Sequence, residues 1–231
     1  MVLELEISRR NILKLGIASI AVSSNPSLAF ASTNADITHG SRSKNQVALT
    51  FHGAGTRKMA NAILKEMANA STPMTVFAVG TFLEQQPDIA KVILDAGHDL
   101  GNHTMHHLTM TTLSKAKIIT EIEECAALLK KMTGTQGKYF RPSGTTVSTS
   151  AIRAASIKAG YGPCITYDVD SFDYTDPGAP KVISTIMKKI RPGSIVGMHF
   201  GHQSTINALP KLIEQLHAKG LSPVALTDLL S

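Results

Sequence analysis

Tryptophan is absent from this chain of 231 residues, and aromatic residues of all kinds make up only 5% of it. So few ring faces leave little on which the bases of a single-stranded nucleic acid could stack, and no nucleic-acid partner is expected. Cysteine is nearly absent as well. Cys125 and Cys164 fall in an expected helix and an expected strand and show no metal-type spacing; they read as two separate buried thiols, with a disulfide the open alternative outside the cytoplasm. No Gly-x-Ser-x-Gly elbow is present, which removes the commonest signature of a serine nucleophile. Internal repeats and long polar low-complexity tracts are also missing. With 43% hydrophobic and 17% charged residues, the composition is that of a globular protein. The formal net charge of +6 is scattered and lies partly in the N-terminal stretch, so a weak attraction to an anionic cell wall is its main implication.

The N-terminus is organised. Ser8-Arg9-Arg10-Asn11-Ile12-Leu13-Lys14 precedes an apolar run over 15–22, and Ala29-Phe30-Ala31 offers a small-x-small cleavage site. This order is that of a signal peptide of the twin-arginine type, cleaved after Ala31, and it implies export. The apolar run is well short of the ~18 residues a bilayer span requires, so no stable membrane insertion is expected after cleavage. Residues 32–45 are small and polar and read as a linker. Residues 46–231 then have the length of one α/β domain.

Within that domain strand-like and helix-like patterns alternate. Short β-rich runs over 46–51, 74–79, 98–101, 139–141, 163–167, 194–199 and 222–226 are separated by helical periodicity over 58–70, 88–96, 114–132, 148–159, 180–190 and 206–218. Seven strands with helices between them and few hairpin signals call for a parallel sheet, either a barrel or a doubly wound sheet. In both, polar residues at the C-terminal strand ends share one rim, and that rim is where ligands bind.

Five segments place chemistry there. Asn102-His103-Thr104-Met105-His106-His107 follows a strand; His103 and His107 are four apart, and on a helical turn their imidazoles would share a face suited to a metal, with His106 pointing elsewhere. An ordinary polar helix start explains the same pattern. Thr50-Phe51-His52-Gly53 runs a strand into a histidine and a glycine-rich turn, where His52 could be a ligand, a base or a turn residue. Arg141, before Pro142, could orient a carboxylate or an imidazole, or pair with a surface acid. Asp170 and Asp173 follow another strand as candidate ligands or groups that hold a histidine tautomer. His199 ends the apolar strand Val196-Gly197-Met198.

The order and spacing of these five segments resemble the polysaccharide deacetylases, the family with the NodB-homology fold, over nearly all of residues 46–231. The resemblance implies an irregular (β/α) barrel with about seven parallel strands. It also implies a metal-dependent hydrolase that removes N- or O-linked acetyl groups from a cell-wall or extracellular polysaccharide. In the family a Thr-Phe-Asp-Asp-Gly segment supplies a catalytic base and a metal-binding Asp; here the corresponding residues are His52 and Gly53. The His103/His107 pair matches the family's metal-binding pair, Arg141 its base-orienting Arg, Asp170 to Tyr174 its Asp-x-x-Asp-Trp element, and His199 its general acid. Two repairs of the first segment are open. In the favoured one, His52 joins His103 and His107 in a three-histidine site, with zinc the expected ion and Asp170 or Asp173 the base. In the other, His52 is the base and two histidines hold the metal. A binding module that has lost turnover, and a hydrolase of non-sugar amides, are the competing functions on the same fold.

Overall fold

The computed structural model describes residues 35–231. The expected signal peptide, with its twin-arginine pair and cleavage site, lies outside these residues. The elements run in the order β1 (Gln46–Gly53), α1 (Arg57–Asn69), β2 (Thr75–Ala78), α2 (Gly80–Gln85), α3 (Ile89–Asp95), β3 (Asp99–Asn102) and α4 (Lys115–Thr133), followed by α5 (Ser150–Lys158), β4 (Val169–Asp170), α6 (Ala179–Lys189), β5 (Ile195–His199), α7 (Gln203–Ala218), β6 (Ser222–Pro223) and α8 (Leu226–Leu229). Local chemistry sets several boundaries. Thr56 and Ser114 accept the backbone N–H groups of Met59 and Lys117 as N-caps, and α4 stops at Gly134, whose φ of 82° suits a residue without a Cβ.

Every strand ladder is parallel, in the order β3-β2-β1-β5-β4, with β6 paired to the start of β1. The central strand β1 is buried on both faces over Val47 to Gly53, as befits a parallel strand covered by helices. Val47, Leu49 and Phe51 pack with Ile63, Met67, Val196 and Leu212 in the largest core cluster.

Two expected strands are reduced to single bridges. Residues 139–141 join β3 through Asn102 N–H to Tyr139 O and Arg141 N–H to Asn102 O, both 2.9 Å; the bridge at Ile165 pairs it with Ile37, and one hydrogen bond, Ile165 N–H to Phe140 O at 2.9 Å, links it to the 139–141 piece. Pro142 and Pro163 flank these pieces and donate no hydrogen bond to a ladder, which keeps them short. The chain from Ile165 then reaches β4, which pairs with β5, so the ring closes irregularly: β1, β2, β3, 139–141, 165–170, β5 and back to β1. The last expected strand, 222–226, is a strand only at Ser222–Pro223 before α8 begins. Helix α2 was not anticipated; at six residues, and without a side-chain cap, it has too few turns to show a period. Part of the segment read as a linker is pinned to the domain. Asp36 accepts from Arg153 Nε and Ser148 N–H at 2.9 and 2.7 Å, and Arg42 pairs with Asp168 at 2.7 Å.

Candidate active site

All five chemistry-bearing segments end at the same rim. β1 delivers His52, the turn after β3 delivers His103 and His107, the 139–141 piece delivers Arg141, β4 delivers Asp170, and β5 delivers His199. Together with Tyr167, Tyr174 and the Pro142-to-Thr146 loop, His52, His103, His107, Asp170 and His199 line a pocket of about 460 Å³.

Arg141 organises one side. It is 1% exposed, and its guanidinium donates to Ile165 O (3.2 Å), Thr166 O (3.1 Å) and Thr50 Oγ1 (2.9 Å) while lying over the rings of Phe77 and Tyr167. Burial lowers its pKa to about 9, so it remains charged at neutral pH. Its remaining amino group donates to His52 Nε2 at 3.3 Å. Because Arg has no acceptor, that contact places the lone pair of His52 on Nε2 and its proton on Nδ1. The proton on Nδ1 points at His199 Nε2, 2.7 Å away, which must accept; His199 therefore carries its own proton on Nδ1 and donates to Asp173 Oδ1 at 2.7 Å. Four residues thus form one directed chain from cation to anion, Arg141 to His52 to His199 to Asp173, with both imidazoles neutral.

Asp173 is fully buried. Its oxygens also accept His199 N–H at 2.8 Å and the Thr205 hydroxyl at 2.6 Å. Burial alone would raise its pKa, but the hydrogen bonds from the His199 ring, the Thr205 hydroxyl and the His199 backbone hold the carboxyl below its ordinary value. With every donor directed at it from inside the protein, Asp173 is placed to fix the tautomer of His199. Asp170 differs: it lines the pocket, with Oδ1 accepting the N–H of Phe172 at 2.9 Å.

The opposite wall is His103 and His107. His103 is 1% exposed; its Nδ1–H donates to Arg141 O at 2.9 Å, which leaves the lone pair on Nε2, and that buried atom has no hydrogen-bond partner. A neutral imidazole with one nitrogen fixed by a backbone carbonyl and the other unpartnered is the usual form of a metal-ligating histidine. Burial, then the neighbouring His107, lower the pKa of His103 well below its ordinary value, so it stays neutral. His107 is exposed on the rim, its ring centroid 4.9 Å from that of His103 and its plane tilted by 67°. The expected helical turn is absent. Residues 103–107 form an irregular loop in which Thr104 (φ 69°) and His107 (φ 56°) are left-handed, and this conformation, rather than an i,i+4 helix face, brings the two rings together. His106 turns away, toward Glu121.

His52 stands apart from that pair in its bonding. Its ring is stacked on His103 with centroids 4.5 Å apart and planes 9° from parallel. Imidazoles bind ions along in-plane lone pairs, and two stacked, nearly parallel rings hold these in separate planes that do not meet at one point near the rings. Both nitrogens of His52 are also engaged, by Arg141 and His199. Burial first, then His103 and Arg141, lower the His52 pKa well below its ordinary value. Gly53 offers no side chain, and a Cβ built there would lie 2.8 Å from Val76 Cγ1 and 3.1 Å from Ala78 Cα. The residues present therefore fit a divalent cation at His103 and His107, with the remaining positions open to water and substrate. Among the described residues, the three ligand-type side chains whose donor atoms all lie within 4.8 Å of one another are His106, Glu121 and Glu124. The Lys117 ammonium already lies 2.9 Å from Glu121 there.

Sequence reasoning missed the roles of Thr50, whose hydroxyl links Arg141 to Val196 O although it lies in the segment that ends in His52, and of Thr205 and Tyr167, which no motif marks. Both cysteines are free and buried.

Comparison with known proteins places the chain in a family. The polysaccharide deacetylase family model matches residues 39–163. A peptidoglycan-N-acetylglucosamine deacetylase of Bacillus cereus is 27% identical over 188 residues, covering 80% of this chain and 87% of that protein. A chitooligosaccharide deacetylase of Rhizobium leguminosarum bv. trifolii is 27% identical, covering 79% and 90%. Among solved structures, a CE4 family pseudoenzyme from Bacillus anthracis superposes with a TM-score of 0.80 at 28% identity, covering 86% of this chain and 70% of that one. A mutant of that pseudoenzyme has restored enzymatic activity. With the family model matching more than half of its length and the family's site segments gathered on one rim, this chain belongs to the polysaccharide deacetylase family.

Proposed function

We propose that this protein is an exported hydrolase that removes acetyl groups from an acetylated cell-wall or extracellular glycan, with a divalent cation held by His103 and His107. The observation that carries the reading is the pairing, across one pocket, of an unpartnered buried His103 Nε2 with the acid-backed imidazole of His199. Relatives named as peptidoglycan and chitooligosaccharide deacetylases support the substrate class. The arginine pair and the Ala29-Phe30-Ala31 site support export by the twin-arginine route. Among the described residues no helix is long and apolar enough to cross a membrane.

Zinc suits imidazole donors, and when bound it would polarise the acetyl carbonyl and acidify a water molecule. The chain's own residues move the proton. His199 Nε2, whose one lone pair accepts the His52 Nδ1 proton in the resting chain, takes a proton from the nucleophile once that hydrogen bond opens; Asp173 stabilises the resulting imidazolium; His199 then returns the proton to the leaving amine or hydroxyl. His52 acts through His199 by orienting it, and Arg141 keeps His52 neutral and its proton on Nδ1. Asp170 offers a pocket-facing carboxylate oxygen to the substrate or the attacking water.

The second reading, a carbohydrate-binding protein without turnover, is favoured by one feature: the space for a ligand side chain at Gly53 is filled by Val76 and β2. Acetate release from acetylated chitooligosaccharide separates the two. On the hydrolase reading both His103→Ala and His199→Ala abolish release, the first together with zinc binding and the second without affecting it. Turnover that persists in His199→Ala while His103→Ala is dead would show that the proton carrier has been misassigned.

A further inference from the structure

Glu121 is a fully buried carboxylate on α4 that the proposed chemistry does not use. Its Oε2 accepts the backbone N–H of His106 at 2.8 Å; Oε1 meets His106 Nδ1 and Lys117 Nζ, each at 2.9 Å; and its own carbonyl accepts Met105 N–H at 3.0 Å. One residue on, Ile122 O accepts Asn102 Nδ2 at 2.9 Å. A single turn of α4 therefore grips the loop that carries His103 and His107 at its start and its middle. From inside the loop, Asn102 Oδ1 accepts Thr104 N–H at 2.8 Å and Thr104 Oγ1 accepts His107 N–H at 3.2 Å.

The loop needs this grip. Two non-glycine residues in left-handed backbone are strained, and such conformations persist only where the surroundings over-determine them. Burying a carboxylate is itself costly unless it is paired and hydrogen-bonded. Here the carboxylate is paired outward, to Lys117 and the exposed ring of His106, and hydrogen-bonded inward, to the loop backbone. His106 is thus a clamp between helix and loop.

We propose that Glu121 is a positioning residue for the cation site, acting through His106 and the loop backbone to hold His103 and His107 at the spacing a metal requires. The inference rests on the reading that this pair binds a cation.

Cobalt(II) titration of the full chain, followed by its visible absorption, tests it. Glu121→Gln preserves shape and one acceptor for His106 N–H but removes the charge shared with Lys117 and His106. Its cobalt affinity is expected to fall by about 10–100-fold, the range found when outer hydrogen-bond partners of metal ligands are lost. His106→Ala, at an exposed site with little burden on folding, should weaken binding in the same direction. The double variant should lose less than the sum of the two, since both remove one clamp. Unchanged cobalt affinity in both folded single variants would overturn the inference and leave the cation reading standing. A wild-type chain that takes up no cobalt would overturn both.

Discussion

Installing an aspartate at residue 53 is the obvious way to give the site the third protein ligand that the family pattern has there, and the structure predicts that Gly53→Asp fails by itself. The reason is steric. A Cβ at 53 would sit 2.8 Å from Val76 Cγ1 and 3.1 Å from the Ala78 Cα, both on the neighbouring strand β2. β1 and β2 are in register here, with Gly53 opposite Ala78, so relief requires either a shift of a central ladder or displacement of a β-branched side chain with one favoured rotamer. Overpacking of this kind costs about 1–3 kcal/mol, which for a domain of this size lowers Tm by roughly 2–12 °C. Thermal unfolding and zinc competition measured side by side check this. Gly53→Asp should unfold earlier with no gain in zinc affinity, whereas adding Val76→Ala should recover part of the lost Tm and let the new carboxylate approach His103. Unaltered Tm with strengthened zinc binding in the single variant would refute the reasoning that β1 and β2 have closed over this position.

Three further outcomes follow from the site. Asp173→Asn leaves the shape but removes the anion that fixes His199, and kcat for acetate release should fall on the order of 10²–10⁴-fold with zinc affinity maintained; steady-state kinetics with a zinc assay checks this. In chelated protein, His52 and His103, whose pKa values are lowered chiefly by burial, bind fewer protons folded than unfolded. Stability is therefore full above the unfolded-state pKa of about 6.5 and is lost as pH falls below it, by up to about 1.4 kcal/mol per pH unit for each histidine, until the folded pKa is reached. Denaturant midpoints between pH 7 and pH 5 should show that slope, and His103→Gln should reduce it. Cys125, pushed up to about 12 by burial, should not react with a thiol reagent until the chain unfolds, as timed labelling in native buffer and in denaturant can establish.

Much of the architecture was legible because it rests on periodicity. The strand 46–51, the helix opened by Ser114 and closed before Gly134, and the placement of His52, Arg141 and His199 at strand ends all depend on local chemistry that a sequence displays. The irregular pieces were not legible in the same way. Residues 139–141 and 163–167 read as strands, yet Pro142 and Pro163 leave each with a single bridge; the closure of the ring through β4 depends on long-range hydrogen bonds with no local signature. In the site, spacing singled out His103 and His107 but misjudged how their rings meet, because the loop is left-handed at Thr104 and His107 and is hydrogen-bonded to Glu121, a residue 15 positions on from His106. Sequence also could not show that both nitrogens of His52 are engaged within the protein, since its partners are 89 and 147 residues away. That engagement is why the proposed function gives His52 the task of orienting His199 and leaves the cation to His103 and His107.

The most direct test of the central claim pairs zinc content with acetate release from an acetylated chitooligosaccharide, on the same purified protein before chelation, after it, and after zinc is returned. The account predicts one zinc per chain, acetate release that chelation abolishes, and recovery on readdition. Sugar binding with no acetate released in any of the three states, and no zinc retained, would contradict it.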